Sequence, residues 1–111
     1  MNQKQIIACL SALAHEHRLR IFRLLVGCGP SGLPAGEIAE RVGISPTSTS
    51  FHLKELDRAG LVHSTRHGRY IRYAVHVDGM RRLLAYLTEN CCEGRPELCG
   101  ETIARAGVRL D

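Results

Sequence analysis

The segment from Ser45 to Gly60 constrains the fold more than any other part of the chain. It reads Ser-Pro-Thr-Ser-Thr-Ser-Phe-His-Leu-Lys-Glu-Leu-Asp-Arg-Ala-Gly. Ser45 is a good N-cap residue, Pro46 falls at the favoured first helical position, and Gly60 stops the element. At about 100° per residue, Thr49, Leu53 and Leu56 share one side and pack inward. Thr47, Phe51, Lys54 and Arg58 then point the opposite way. The predicted helix therefore exposes hydroxyls, an aromatic ring and two cations.

What flanks this helix gives it a setting. Pro34 opens a short helix carrying Ile38, Ala39 and Val42, and Gly43 ends it. A short helix, a glycine turn and a capped helix with a small polar outward face form a helix-turn-helix. Small hydroxyl residues at the start of the second helix let its backbone sit deep in a major groove. Downstream, Leu61 to Arg66 and Arg69 to Val75 are β-prone and separated by His67-Gly68, a two-residue hairpin signal. That hairpin carries three arginines and no acid, so it suits a wing lying along phosphates or reaching a minor groove.

The remaining periodic segments are helical. Ile6, Leu10 and Leu13 mark a first helix from about Lys4 to Ala14. Leu19, Ile21, Phe22 and Leu25 mark a second from His15 to Val26, stopped by Gly27 and Gly29. Asp78 caps a last helix in which Met80, Leu83, Leu84, Leu87 and Cys91 form one apolar stripe. The predicted fold is mainly α with a β-hairpin, in the order helix, helix, helix, helix, hairpin, helix. The breaker-rich stretch from Gly27 to Pro34 is a loop within one domain, since neither flank is long enough to fold alone.

Charge placement supports the same division of labour. The chain has 111 residues and a net charge of +4. Residues 45–75 carry five basic and two acidic side chains, net +3, whereas residues 76–111 carry five basic and six acidic, net −1. A basic reading head favours an acidic partner, and double-stranded DNA fits best. Thr47, Ser48 and Ser50 are candidates for base edges or phosphates, and Phe51 for a thymine methyl. His52, on the helix flank, is either a packing residue or a phosphate contact. Lys54, Arg66, Arg69 and Arg72 are candidate phosphate contacts. No apolar run approaches the roughly 20 residues of a membrane span, and no secretory leader pattern opens the chain. A cytoplasmic protein without a membrane partner is the expectation.

The five cysteines are distributed differently from the charge. Cys91, Cys92 and Cys99 fall within nine residues, in the pattern C-C-x6-C. Three thiolates form a soft, anionic donor set. Gly94 and Pro96 break the helix, so the chain can fold back and bring Cys99 to the pair at little cost in loop entropy. As(III) or Sb(III) needs three sulfurs in a pyramid and no fourth ligand. Zn(II) prefers four, and no histidine follows His76. Glu93, Glu97 or a second subunit would have to supply the fourth. Cys9 lies on the flank of the first apolar stripe and reads as a buried core thiol. Cys28, between glycines in a flexible loop, has no assigned role. His15 and His17 are expected to point apart on a helix. No organic cofactor is indicated.

The chain resembles the ArsR/SmtB repressors over about residues 5–90. The resemblance rests on Ala12-Leu13-Ala14-His15-Glu16-His17-Arg18-Leu19-Arg20-Ile21, on Ser45 through Leu56, and on Ala59-Gly60-Leu61-Val62. It implies a homodimeric winged helix-turn-helix, metal-responsive transcription factor that binds an inverted repeat. Two positions depart from the family pattern: His15-Glu16-His17 replaces the usual Asp-Pro-Thr, and Phe51 stands where many members carry arginine. Some arsenite-sensing members carry a cysteine pair in the helix before the recognition helix. Here that helix, Gly36 to Val42, has none. Others place thiols at the end of the last helix, and this chain is similar to that type. Zinc-sensing members place carboxylate and histidine pairs along the last helix. His76 and Asp78 begin such a pattern, and Glu89 and Cys92 complete it poorly. A family-like dimer would use Ile6, Leu10 and Leu13 with Met80, Leu83, Leu84 and Leu87.

Together these readings predict one domain over residues 1–99, with DNA-binding, dimerising and thiol sites. Residues 100–111 form a tail with no folding signal, for which disorder stays open. The expected function is an As(III)/Sb(III)-responsive repressor that releases operator DNA when the three thiolates bind the metalloid. A Zn(II)/Cd(II)-responsive or thiol-redox-responsive repressor of the same fold is the alternative. A thiol enzyme fits less well, because the Cys91-Cys92 pair ends a helix, where the dipole disfavours a thiolate.

Overall fold

A computed structural model describes residues 2–88. Asn2 and Gln5 form a reciprocal capping box, each backbone N–H donating to the other's side chain at 2.8 Å, and start α1, Gln3–Leu13. His15, in extended conformation, caps α2, Glu16–Cys28. This helix runs through Gly27 and ends where Gly29 takes a positive φ. A two-residue strand, β1 (Leu33–Pro34), precedes α3, Ala35–Val42. Gly43, at φ 78°, turns the chain by the left-handed conformation that glycine adopts without strain. The Ser45 hydroxyl then accepts from the Ser48 N–H at 3.1 Å and opens α4, Pro46–Arg58, as its cap signals require.

The hairpin follows as β2 (Val62–His67) and β3 (Tyr70–Val75), and β3 lies between β1 and β2 in an antiparallel sheet. Val62 pairs with Val75 and His67 with Tyr70, so the turn is Gly68-Arg69, one residue later than expected. The reason is local: Gly68 supplies the positive φ at the first turn position, which makes Arg69 the tip of the wing. The last helix is α5, Val77–Thr88. Its cap is His76, whose Nδ1 accepts from the Gly79 N–H at 2.9 Å, and Asp78 lies in its first turn instead.

One core joins these elements. Ile21, Leu25, Ile38, Leu53, Leu56, Leu61 and Val62 are fully buried, so α2, α3 and α4 meet the root of the hairpin. As the α4 spacing predicts, Thr49, Leu53 and Leu56 face inward, and Thr49 also donates to the Ser45 carbonyl. Leu19 was expected in the α2 stripe and is exposed, while Ile21, Phe22 and Leu25 are buried.

Gly32 fastens the sheet. It has φ 61°, and a Cβ at this position would overlap the Tyr73 carbonyl. Gly32→Ala therefore combines an unfavourable backbone conformation with displacement of β1 from β3. A loss of about 2–5 kcal/mol is expected, read as a Tm lower by about 10 °C or more. An unchanged Tm would contradict this packing.

Candidate nucleic-acid interface

Helix α4 and the hairpin place most of the expected contacts outward. Thr47, Ser48, Phe51, Lys54 and Arg58 are exposed, and Ser50 is half-buried. Phe51 is 54% exposed, with the Arg18 guanidinium carbon 5.6 Å from its ring centroid. Arg66 and Arg69 are exposed near the tip of the wing, next to Tyr70 and Ile71, two large apolar side chains also open to solvent. Among the described residues, the only acids on α4 are Glu55 and Asp57. Glu55 is paired with Arg58 at 3.5 Å. The surface of α4 thus runs from hydroxyls through an aromatic ring to cations.

Two of the expected contacts have a different place. His52 is 7% exposed, on the flank of α4 that packs against α2. Its Nδ1 accepts from Arg18 Nε at 3.1 Å, which makes it a packing residue. Arg72 points back to the α2–β1 loop, where Nε donates to the Ser31 carbonyl at 3.2 Å and Nη2 to the Gly32 carbonyl at 3.1 Å. It pairs across the sheet with Thr65, away from the tip, so its guanidinium ties the wing to the body of the fold.

The structure also brings together residues that the sequence separates. His15 is the cap of α2 rather than part of it, so its ring turns back over the helix start. His15 and His17 lie 5.6 Å apart by ring centroid, His15 and His52 4.6 Å, and His17 and His52 5.8 Å. This cluster replaces the expectation that His15 and His17 diverge. Burial lowers the His52 pKa from the ordinary histidine value, and the charges of His15, Arg18 and His17 lower it further. Among the described residues, no group of three or more His, Cys, Asp or Glu side chains is placed to hold a metal ion.

The apolar stripes divide between core and surface. Ile6 and Leu83, expected at a dimer interface, are 3% and 5% exposed and belong to the protomer's own core. Leu13 and Met80 are partly buried against that core. Leu10, Leu84 and Leu87 are exposed, joined by Ile7 on α1 and Tyr86 on α5, which the spacing argument missed. Ile7 lies about 100° around the helix from the buried Ile6, which carries it off the side of α1 that faces the core.

The thiols fall into two groups. Cys9 is buried as expected. Its Sγ donates to the Ala59 carbonyl at 3.2 Å, and burial raises its pKa. Cys28 ends α2 and is partly buried against the core, not held in a loop. Cys91, Cys92 and Cys99 lie outside the described residues, as does the tail from 100 to 111. Among the described residues, no helix is long and apolar enough to cross a membrane.

Comparison with known proteins agrees with this architecture. A helix-turn-helix domain family matches residues 13–65. The HTH-type transcriptional regulator YgaV of Escherichia coli (strain K12) is 33% identical over 89 residues, covering 80% of this chain and 88% of the relative. An ArsR-like transcriptional regulator from Rhodococcus sp. RHA1 superposes with a TM-score of 0.71 at 27% identity, over 87% of this chain and 89% of that one. A homodimeric winged helix-turn-helix DNA-binding domain from Mycobacterium bovis, described as a possible ArsR-family regulator, gives a TM-score of 0.64 at 28% identity. That match covers 76% of each chain.

Proposed function

This chain belongs to the ArsR family of winged helix-turn-helix transcriptional regulators, and from that premise we propose that it represses transcription as a homodimer on an inverted-repeat operator. It acts by binding, not by catalysis. The observation that carries the reading is the exposed side of α4, with Thr47, Phe51 and Lys54 turned outward beside a hairpin whose tip presents Arg66 and Arg69.

Residues of α4 and the wing divide the work. The hydroxyls of Thr47, Ser48 and Ser50, on the first turns of α4, meet base edges or phosphates in the major groove. Phe51 meets an apolar feature such as a thymine methyl. Lys54, Arg66 and Arg69 neutralise phosphates and release counterions, which gives affinity and salt dependence but little sequence information. Leu10, Leu84 and Leu87, with Ile7, cover one another across the two-fold axis. That packing sets the separation of the two α4 helices, which must match half-sites roughly 34–36 Å apart.

The inducer we propose is As(III) or Sb(III), held by Cys91, Cys92 and Cys99. Support comes from the donor chemistry of three thiols without a nearby histidine, and from their position just beyond α5. Drawing three sulfurs together at the end of that helix would alter the packing of the two protomers. A coupling of about 1–3 kcal/mol would then weaken operator binding several-fold to about a hundredfold.

Selection of duplexes from a random pool by the purified full-length protein tests the DNA reading. An enriched inverted repeat with half-sites about one helical turn apart is the expected product. Recovery of no enriched sequence would count against it.

A further inference from the structure

Arg18 links two neighbouring residues of α4 that face different ways. Its Nε donates to His52 Nδ1 at 3.1 Å, on the buried flank of the helix. Its guanidinium carbon also lies 5.6 Å from the centroid of the exposed Phe51 ring. Arginine has no acceptor atom, so His52 Nδ1 must be the bare nitrogen of a neutral imidazole. The rings of Phe51 and His52 meet edge to face at 5.6 Å. A phenylalanine exposed on a helix ordinarily exchanges between staggered rotamers. Here a guanidinium and an imidazole on the same side favour one of them.

We propose that Arg18 is a positioning residue for DNA recognition, fixing the Phe51 ring in one orientation and so setting base preference where that ring meets the groove. The proposal rests on the reading that α4 is the recognition helix.

The surroundings make this link sensitive to protons. His15 and His17 of the α2 start flank His52, and the His15 Nδ1 is itself engaged by the His17 N–H at 3.2 Å. The His17 Nδ1 is buried with no partner. Across from Arg18, Glu55 and Arg58 of α4 line the same cavity, to which α1 contributes only Ala8, Ser11 and Ala12. The Arg18 guanidinium and His52 Nδ1 are compatible partners while the His52 ring is neutral. A proton on His52 Nδ1 turns the acceptor into a donor, and Arg18 then loses the hydrogen bond that anchors its guanidinium beside Phe51. The lowered His52 pKa places this event on the acid side of the ordinary histidine range.

The test compares the wild type, Arg18→Lys, Phe51→Ala and the double variant. Each is measured on the duplex that the wild type enriches and on a scrambled duplex of equal length. Lysine keeps the charge and much of the stem, but it has no planar fork to bridge the two rings. At neutral pH, Arg18→Lys is expected to lower the ratio of enriched to scrambled affinity by about fivefold to tenfold. Affinity for the scrambled duplex and its salt slope should change by less than about twofold. The double variant should lose no more specificity than Phe51→Ala alone, because both changes remove the same interaction.

Acidification below the ordinary histidine range, carried as low as far-UV circular dichroism shows both proteins folded, should lower the wild-type ratio towards that of Arg18→Lys, whose own ratio stays flat. The wild-type profile needs no substitution, so it keeps the test decisive even if a variant folds poorly. A wild-type ratio in Arg18→Lys, losses that multiply in the double variant, or a wild-type ratio insensitive to acid would each overturn the proposal. A wild type that enriches no duplex would overturn the DNA reading itself, and the proposal with it.

Discussion

Replacing Cys91, Cys92 and Cys99 together with serine is expected to abolish arsenite-induced loss of DNA affinity. In the wild type that loss should fall between about fivefold and about 150-fold, the usual span of allosteric coupling. The effect of the substitution is large because serine cannot stand in for cysteine here: the thiolate is the ligand, and an alcohol does not ionise near neutral pH. The other thiols are poor substitutes. Cys9 is buried, its Sγ is bound to the Ala59 carbonyl, and its pKa is raised, so it resists the deprotonation that metalloid binding requires. Cys28 is partly buried against the core at the far end of α2. Arsenite titration under reducing conditions, reading both thiolate absorption and DNA release, checks the prediction. A serine variant that still releases DNA would place the sensor elsewhere. A response to Zn(II) or Cd(II) but not to arsenite would favour the four-ligand alternative, and release driven only by oxidant would favour a disulfide switch.

The pair Leu84→Asp and Leu87→Asp should convert the protein to a monomer and lower affinity for an inverted repeat by about 10²–10³-fold. Two linked reading heads bind the second half-site intramolecularly, and separating them forfeits that gain. These positions are chosen over Leu83 because they are 44% and 47% exposed in the protomer, so charge there leaves the core intact. Aspartate at the buried Leu83 would instead unfold the chain. Sedimentation gives the oligomeric state and a thermal melt confirms folding. A variant that remains dimeric would move the interface away from α5.

How much of this was legible in the sequence depended on the range of each signal. The reading helix was legible because its cap, its proline, its terminating glycine and its apolar spacing all lie between Ser45 and Gly60, and local geometry decided them. Strand β1 was not, since two residues that include Pro34 carry no strand pattern; a proline is tolerated there because the strand lies at the edge of its sheet. The stripe on α5 was correctly apolar, but periodicity cannot say which of its residues the protomer's other helices reach. Leu83 meets the core and Leu84 does not. Arg72 counted as a free cation until the chain brought the Ser31 and Gly32 carbonyls to it from forty residues away. The Arg18–His52 pair, 34 residues apart in sequence, was invisible for the same reason.

The most direct test of the central claim is the salt dependence of DNA binding for the wild type and for the double variant Arg66→Ala, Arg69→Ala. If α4 and the wing hold the duplex, log affinity for the wild type falls linearly with log salt. Each phosphate contact contributes about 0.9 to that slope. Loss of two exposed wing cations should reduce the slope by about 2 per wing and weaken binding on all sequences alike. A wild type whose binding ignores salt, or a variant whose slope and affinity match it, would contradict the assignment of this surface to DNA.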